Sequence, residues 1–314
     1  MNAGAKVAVA GGTGFVGGAV AAELASRGAR VAALSHRPPA KGPAESPVER
    51  RLADVTRPET LAAGLAGVEA LVIALAFANY PVESRRRGRT FEGVDAAGTE
   101  ALVEAAKTAG VRRIVYVSGA GATSGADPAA KPWYRAKWRA EAAVKSSGIA
   151  YTIFRPSWIY GPRDRSLNRF LGFARWLPFV PQIGNGRQLL APVFIDDMAA
   201  LVADALEPAA AEATRDATFE VGGPETLTMD EIVRTALRVS GRRRFILHSP
   251  VALMKIATAP LIVLPAPPLT PAAIDFVVQA APVDTTLLRE RFARRLRPLA
   301  EGLATYMGPR TPAA

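Results

Sequence analysis

No cysteine occurs among the 314 residues. Disulfides, a cysteine nucleophile and thiolate metal sites are therefore excluded, and the chain suits a reducing cytoplasm. Histidine is scarce as well: His36 and His248 stand far apart, too few for a histidine metal cluster or a Ser–His hydrolase, so no metal is expected. Long apolar runs are missing. The longest, Val251 to Leu264, is interrupted by Lys255 and Pro260 and is too short to span a bilayer. No basic-then-apolar leader precedes the first apolar strand pattern. Acids are outnumbered, 28 against 39 basic residues, for a net charge of +11. Arginines gather at Arg85, Arg86, Arg87 and Arg89, at Arg242, Arg243 and Arg244, and along Arg289 to Arg297. Neither a helix-turn-helix pattern nor a stacking-aromatic motif accompanies them, so they read as solvated surface with no nucleic-acid partner.

What is present is most informative at the start. Lys6-Val7-Ala8-Val9-Ala10 is a short apolar run that leads into Gly11-Gly12-Thr13-Gly14-Phe15-Val16-Gly17. The pattern is a buried parallel strand, a glycine-rich turn and a helix. Gly11 permits the tight turn, Gly14 lets backbone approach a pyrophosphate, and Gly17 lets the helix lie close to the strand. The free amides and dipole of the helix start make a phosphate site. A glycine-rich loop used only for packing is the alternative.

Further strands are expected at Arg30–Ser35, Arg51–Asp54, Ala70–Ala76, Arg113–Ser118 and Ile149–Arg155. Helices are expected at Thr60–Leu65, Phe91–Ala109 and Lys131–Ser147, and a proline-rich loop over Pro38–Pro47. Strands alternating with helices predict an α/β fold, a doubly wound parallel sheet. Residues 1–155 would form a dinucleotide-binding domain. Val193–Ile195 and Thr218–Val221, within 190–225, would return to its sheet. Residues 156–189 and 226–314 would form a smaller, mostly helical lobe over the substrate, with a helix at Thr228–Ser240 and frayed residues from Gly308.

An NAD site places an acid about 20 residues beyond the glycine turn, at the end of the second strand. Here Leu34-Ser35-His36-Arg37 stands instead. Arg37, with Ser35, suits a 2′-phosphate, so NADP(H) is favoured over NAD(H). Asp54 either reaches the adenine amine or caps a turn.

These residues resemble the extended and atypical short-chain dehydrogenases/reductases. The resemblance covers about 230 residues and rests on several motifs: the Gly11–Gly17 turn; Leu52-Ala53-Asp54; Arg113 to Ser118; Phe154-Arg155-Pro156-Ser157-Trp158-Ile159-Tyr160-Gly161-Pro162; and Val193-Phe194-Ile195-Asp196-Asp197-Met198-Ala199. The run Pro267-Pro268-Leu269-Thr270 and the segment Gly302 to Tyr306 look like the atypical branch, which includes the nucleotide-binding accessory subunit of respiratory complex I. The resemblance implies a cofactor set of Gly11, Thr13, Gly14, Phe15, Val16, Gly17, Ser35, Arg37, Asp54, Val55, Ala74, Lys137 and Pro156.

It also implies a Ser, Tyr and Lys catalytic group with Tyr-x-x-x-Lys spacing, the lysine binding ribose and lowering the tyrosine pKa. Lys137 matches the lysine, but Trp133 stands four residues earlier and Ala120 at the serine position. Tyr134 is one residue out of register, about 100° around the helix. Lys137, Tyr134 and Ser118 are the catalytic candidates. Tyr160, Thr123, Ser124 and Tyr80 are weaker ones, and the pair Asp196 and Asp197 reads as structural.

Phe170, Phe173, Trp176, Leu177 and Phe179 either line an apolar substrate site or pack core. Val251–Leu264 is expected to be buried as an ordinary helix, with peripheral membrane contact as the alternative. The expected activity is hydride transfer to a small, largely apolar substrate without the usual Ser–Tyr pair. A non-catalytic NADPH-binding protein acting through a partner, and a sugar-nucleotide epimerase or dehydratase, are the alternatives.

Overall fold

A computed structural model describes residues 4–37, 47–264 and 267–307, without the side chains of residues 169, 170, 173 and 209. The proline-rich loop, the residues from Gly308, and the side chains of Phe170 and Phe173 lie outside the described residues. The chain forms two compact units. The first comprises Met1–Pro156, Ile195–Val221 and Thr285–Arg294; the second comprises Ser157–Phe194, Gly222–Asp284 and Arg295–Ala314.

The first unit is built on a seven-stranded parallel sheet. Its strands are β1 (Lys6–Ala10), β2 (Arg30–Ser35), β3 (Val48–Leu52), β4 (Ala70–Ile73), β5 (Arg113–Val117) and β6 (Ala150–Pro156), joined by the strand Ala217–Val221. The spatial order is Ala217–Val221, β6, β5, β4, β1, β2, β3. Val7, Ala8 and Val9 of β1 are wholly buried, as are Leu71, Val72 and Ile73 of β4. Continuous apolar runs of this kind are what a sheet covered on both faces requires. The helices are α1 (Phe15–Ser26), α2 (Leu61–Gly64), α3 (Gly98–Thr108) and α4 (Pro132–Lys145). Leu61, Leu65, Leu102, Val103, Ala106, Ala140 and Val144 bury the core of one sheet face with Ile73, Ile114 and Tyr116.

The strand order reverses between β1 and β4, because β2 and β3 build away from β1 on one side and β4, β5 and β6 on the other. Ligands in open α/β sheets bind outside the carboxyl ends of the strands at such a switch point. The glycine-rich turn follows β1 directly, so the fold delivers it to that crevice.

The structure departs from the expected elements in several places. β3 starts at Val48 and ends at Leu52, so Asp54 follows the strand. The pattern over Phe91–Ala109 is two elements, because a π-helical stretch Phe91–Ala97 precedes α3. Pro192–Phe194 does not return to the main sheet; it pairs in parallel with Trp158–Tyr160 in the second unit, and only Ala217–Val221 joins β6. Thr285–Arg294 also belongs to the first unit, unannounced by any motif. Its Phe292 packs on Phe219 edge to face at 5.3 Å and on Phe154 at 5.7 Å.

The second unit holds short strand pairs and helices. Phe179–Ile183 runs parallel to Phe245–Ser249, and Leu189–Leu190 antiparallel to Leu227–Thr228. Thr228 caps the helix Met229–Val239 through a reciprocal pair of bonds with Glu231. Val251–Leu264 is not buried as expected: it forms the helix Val251–Thr258 and a tighter turn Ala259–Val263, and within 251–264 only Thr258 is buried. Trp176 is 88% exposed and lines no core. Leu177 and Phe179 are half-buried.

Candidate functional site

Gly11 and Gly17 of the turn after β1 stand where no side chain fits. A Cβ on Gly11, whose φ is +76°, would collide with the Ala74 carbonyl oxygen, and one on Gly17 would collide with the carbonyl oxygen of Gly11. Gly14 caps α1 with no side-chain bond, and no acid stands in the first turn. The first amides of a helix have no intrahelical acceptor, so the dipole and these N–H groups face a place where neither capping oxygen nor carboxylate competes. Thr13 and Gly14 are exposed there, and Phe15 and Val16 half-buried. The residues fit a diphosphate.

Around this turn the other cofactor candidates fall as follows. Ala74 directly follows β4; its N–H donates to the Ala10 carbonyl at 3.0 Å and its carbonyl faces Gly11. Register pairs Ala10 with Leu34, which sets Ser35 just beyond the last residue of β1 on the neighbouring strand. Ser35 Oγ accepts a bond from the Arg37 backbone N–H at 3.2 Å, and the Arg37 side chain is exposed. Asp54 Oδ1 accepts from both the N–H and the hydroxyl of Thr56, at 2.9 and 2.7 Å, so that oxygen serves a turn. Val55 packs beneath the start of α3, where a Cβ on Gly98 would approach its Cγ2 to 2.7 Å. Pro156 ends β6 and its carbonyl accepts from the Ala120 N–H at 3.0 Å.

Lys137 lies on α4, its side chain 12% exposed, with Nζ 2.7 Å from Oδ1 of the wholly buried Asp95. The ammonium stands over the ring of Tyr116, 5.5 Å from its centroid. Burial works against the charge, but Asp95, then Tyr116 and Tyr80, hold the Lys137 pKa above the ordinary lysine value. Burial pushes the Tyr116 phenol up to about 12 while Lys137 opposes it. The Tyr80 phenol, in the segment after β4, is also raised, by burial first and then by Asp95. Register pairs Ala10 with Ile73 and Ile73 with Tyr116, so this cluster is level with the end of β1, two strands away. At about 5 Å per strand that is roughly 10 Å.

Sequence reasoning did not find Asp95. The signal was there: Phe91, Asp95, Thr99, Leu102, Val103 and Ala106 share one helical face, and all are buried. A carboxylate at a core position requires a cation. It sits in the π-helical stretch, a departure often found at functional sites.

The remaining catalytic candidates separate. Trp133, one turn before Lys137, is buried against Phe91 and carries no transferable proton. Tyr134 turns toward the loop after β5, where a Cβ on Gly121 would lie 2.5 Å from its ring and 3.1 Å from its hydroxyl. Ser118 donates its hydroxyl proton to Glu141 at 2.7 Å, and Arg155 binds both Glu141 oxygens at 2.8 and 2.5 Å. Burial tends to raise Glu141, but the bonds from Arg155 and Ser118 hold it below the usual carboxylate range. Ser118 is thus the top of a buried network. Thr123 and Ser124 are exposed in a short turn. Asp196 is exposed and Asp197 buried at the start of the helix Ile195–Asp204. Tyr160 is wholly buried, its hydroxyl donating to the Leu299 carbonyl at 3.4 Å inside the second unit. Among the described residues no cluster of metal-ligating side chains occurs.

A family described as NAD(P)H-binding matches residues 11–171, which begins at the glycine turn and takes in the Lys137 cluster. The chain belongs to that NAD(P)H-binding family, of the atypical short-chain dehydrogenase/reductase kind. It is 30% identical, over 71% of its length, to subunit 9 of the NADH dehydrogenase [ubiquinone] 1 alpha subcomplex of Arabidopsis thaliana. The match takes in 55% of that subunit, so the chain spans about half of this relative. It is 27% identical to the 2-alkyl-3-oxoalkanoate reductase of Stenotrophomonas maltophilia, over 76% of this chain and 77% of that one. In fold it is similar to an NADPH-dependent quinone oxidoreductase of Escherichia coli complexed with NADPH, with a TM-score of 0.70, 22% identity, and coverage of 95% and 99% of the two chains.

Proposed function

We propose that this NAD(P)H-binding protein is an NADP(H)-dependent oxidoreductase acting on a small, largely apolar carbonyl or alcohol. The observation that carries the reading is the Lys137–Asp95 pair, a buried cation level with the glycine turn at the carboxyl edge of the sheet. The glycine turn would hold the diphosphate, and Arg37 with Ser35 the 2′-phosphate, where no carboxylate occurs between Leu34 and Arg37 to repel it. The cofactor, when bound, supplies or accepts a hydride.

Lys137 stays charged at neutral pH. It would therefore hold ribose hydroxyls and favour negative charge developing on the substrate oxygen, and would not serve as a base. Tyr134, beside the loop after β5, would donate the proton, in place of the phenol that Trp133 cannot provide. The name of the S. maltophilia relative, a reductase of 2-alkyl-3-oxoalkanoates, supports an apolar oxo compound.

Trp133 and the engaged Ser118 also favour a second reading, a protein that binds NADPH without turnover. NADPH and NADH titrations, followed by NADPH oxidation with enones, quinones, aldehydes and long-chain 3-oxo compounds, separate the two. Turnover that is lost in Lys137→Ala while NADPH still binds supports the enzyme. Tight binding with no turnover across the panel gives the second reading. Equal affinity for both cofactors overturns the role of Arg37.

A further inference from the structure

Residues 245–264 carry apolar surface that the fold leaves in water. Phe245 and Leu247, two apart on the strand Phe245–Ser249 and so on one face, are both exposed. The strand passes through Pro250 into the helix Val251–Thr258 and the turn Ala259–Val263, where Leu253, Ile256, Ile262, Val263 and Leu264 are exposed, Ile256 at 72% and Val263 at 79%. Trp176 adjoins the strand's start. Arg244 Nε donates to the Ala174 and Leu177 carbonyls at 3.2 and 2.9 Å, and Arg242 Nη1 to the Leu171 carbonyl at 3.1 Å. Exposed aliphatic and aromatic side chains concentrated in one segment mark an interaction surface.

Charge identifies the partner. From Arg238 to Lys255 the sequence holds five basic residues and no acid, and Arg175 and Arg243 are exposed beside the apolar residues. Lys255 is paired with Asp275 at 2.6 Å. A second copy meeting this face about a twofold axis would bring the same cations toward each other, which disfavours self-association. An anionic lipid surface offers the complement: apolar side chains enter the headgroup boundary, arginines meet phosphates, and an exposed tryptophan suits the interface. Among the described residues no helix is long and apolar enough to cross a membrane.

We infer that the segment 245–264, with Trp176, docks the protein on the surface of an anionic bilayer, lying on it without spanning it. The test is co-sedimentation of the full chain with phosphatidylcholine vesicles and with vesicles that also contain phosphatidylglycerol, at low and high salt. The wild type should bind the anionic vesicles. Ile256→Glu/Val263→Glu should bind at least about tenfold more weakly. Arg175→Gln/Arg243→Gln should lose most of the dependence on salt. NADPH affinity, read in parallel, should be unchanged in every variant and serves as the control for folding. Absence of vesicle binding at low salt, or binding that survives the glutamates, overturns the inference. So does a wild-type dimer that the glutamates convert to monomer while no vesicle is bound.

Discussion

Gly17 and Lys137 impose opposite demands on their surroundings, the first needing a missing side chain and the second a buried countercharge. Gly17→Ala drives a methyl into the carbonyl of Gly11, and neither backbone can retreat without opening the turn. It should lower stability by about 1–3 kcal/mol in urea unfolding and weaken NADPH binding at least about tenfold by fluorescence titration. A variant that binds NADPH like the wild type would show that the turn does not hold the cofactor. Lys137→Met leaves the Asp95 carboxylate buried without its cation, which should cost about 3–5 kcal/mol. Asp95→Asn/Lys137→Met removes both charges and should recover most of that loss. Additive losses in this double-mutant cycle would mean that the two side chains do not depend on each other.

At the scale of elements, what could be read from the sequence followed how local each feature is. β1, the glycine turn and α1 are specified by neighbours within a dozen residues, and the structure forms them as expected. β4 and the Ile114–Val117 part of β5 are similarly local, since burial on both faces makes them continuously apolar, whereas β6 also buries Thr152 and Arg155. Pairing partners were not legible. Val193-Phe194 has the composition of a sheet strand, yet its register is to Trp158–Tyr160, a choice made by contacts remote in sequence. Thr285–Arg294 joins the first unit through the buried Leu288 and Phe292 and through Arg294, which binds both Asp204 oxygens at 2.7 and 2.9 Å, and two apolar residues in an arginine-rich stretch announce no partner. Phe292→Ala should therefore cost about 3–5 kcal/mol in chemical denaturation, as for a core aromatic. A loss below about 1 kcal/mol would show that the segment does not close the Phe154–Phe219 core. In the candidate site, the family resemblance pointed to Lys137, whereas Asp95 was hidden because one acid in a helix reads as solvated surface until its face is known.

Across the whole molecule, titration behaviour should separate buried acids by sign. Burial raises the Asp164 carboxyl, which also accepts from the Ser166 and Leu167 amides, from 3.8 to about 6. The folded protein thus holds this proton more tightly than the unfolded chain. The resulting stability is complete below pH 3.8 and is lost as pH rises through about 6, a change of about 3 kcal/mol. Relative to Asp164→Asn, which cannot titrate, the wild type should lose roughly that amount between pH 4 and 7 in urea unfolding. A pH-independent difference would place Asp164 in water. Glu141 and Asp204, held below the carboxylate range by arginines, act in the opposite direction: their contribution is present at neutral pH and is lost on acidification. We propose that the amides after β1 grip a dinucleotide diphosphate and that Arg37 selects its 2′-phosphate. Calorimetric titration of the full chain with NADPH and NADH tests both at once. Saturable one-to-one binding is expected, with NADPH at least about tenfold tighter than NADH; no heat with either nucleotide would contradict it.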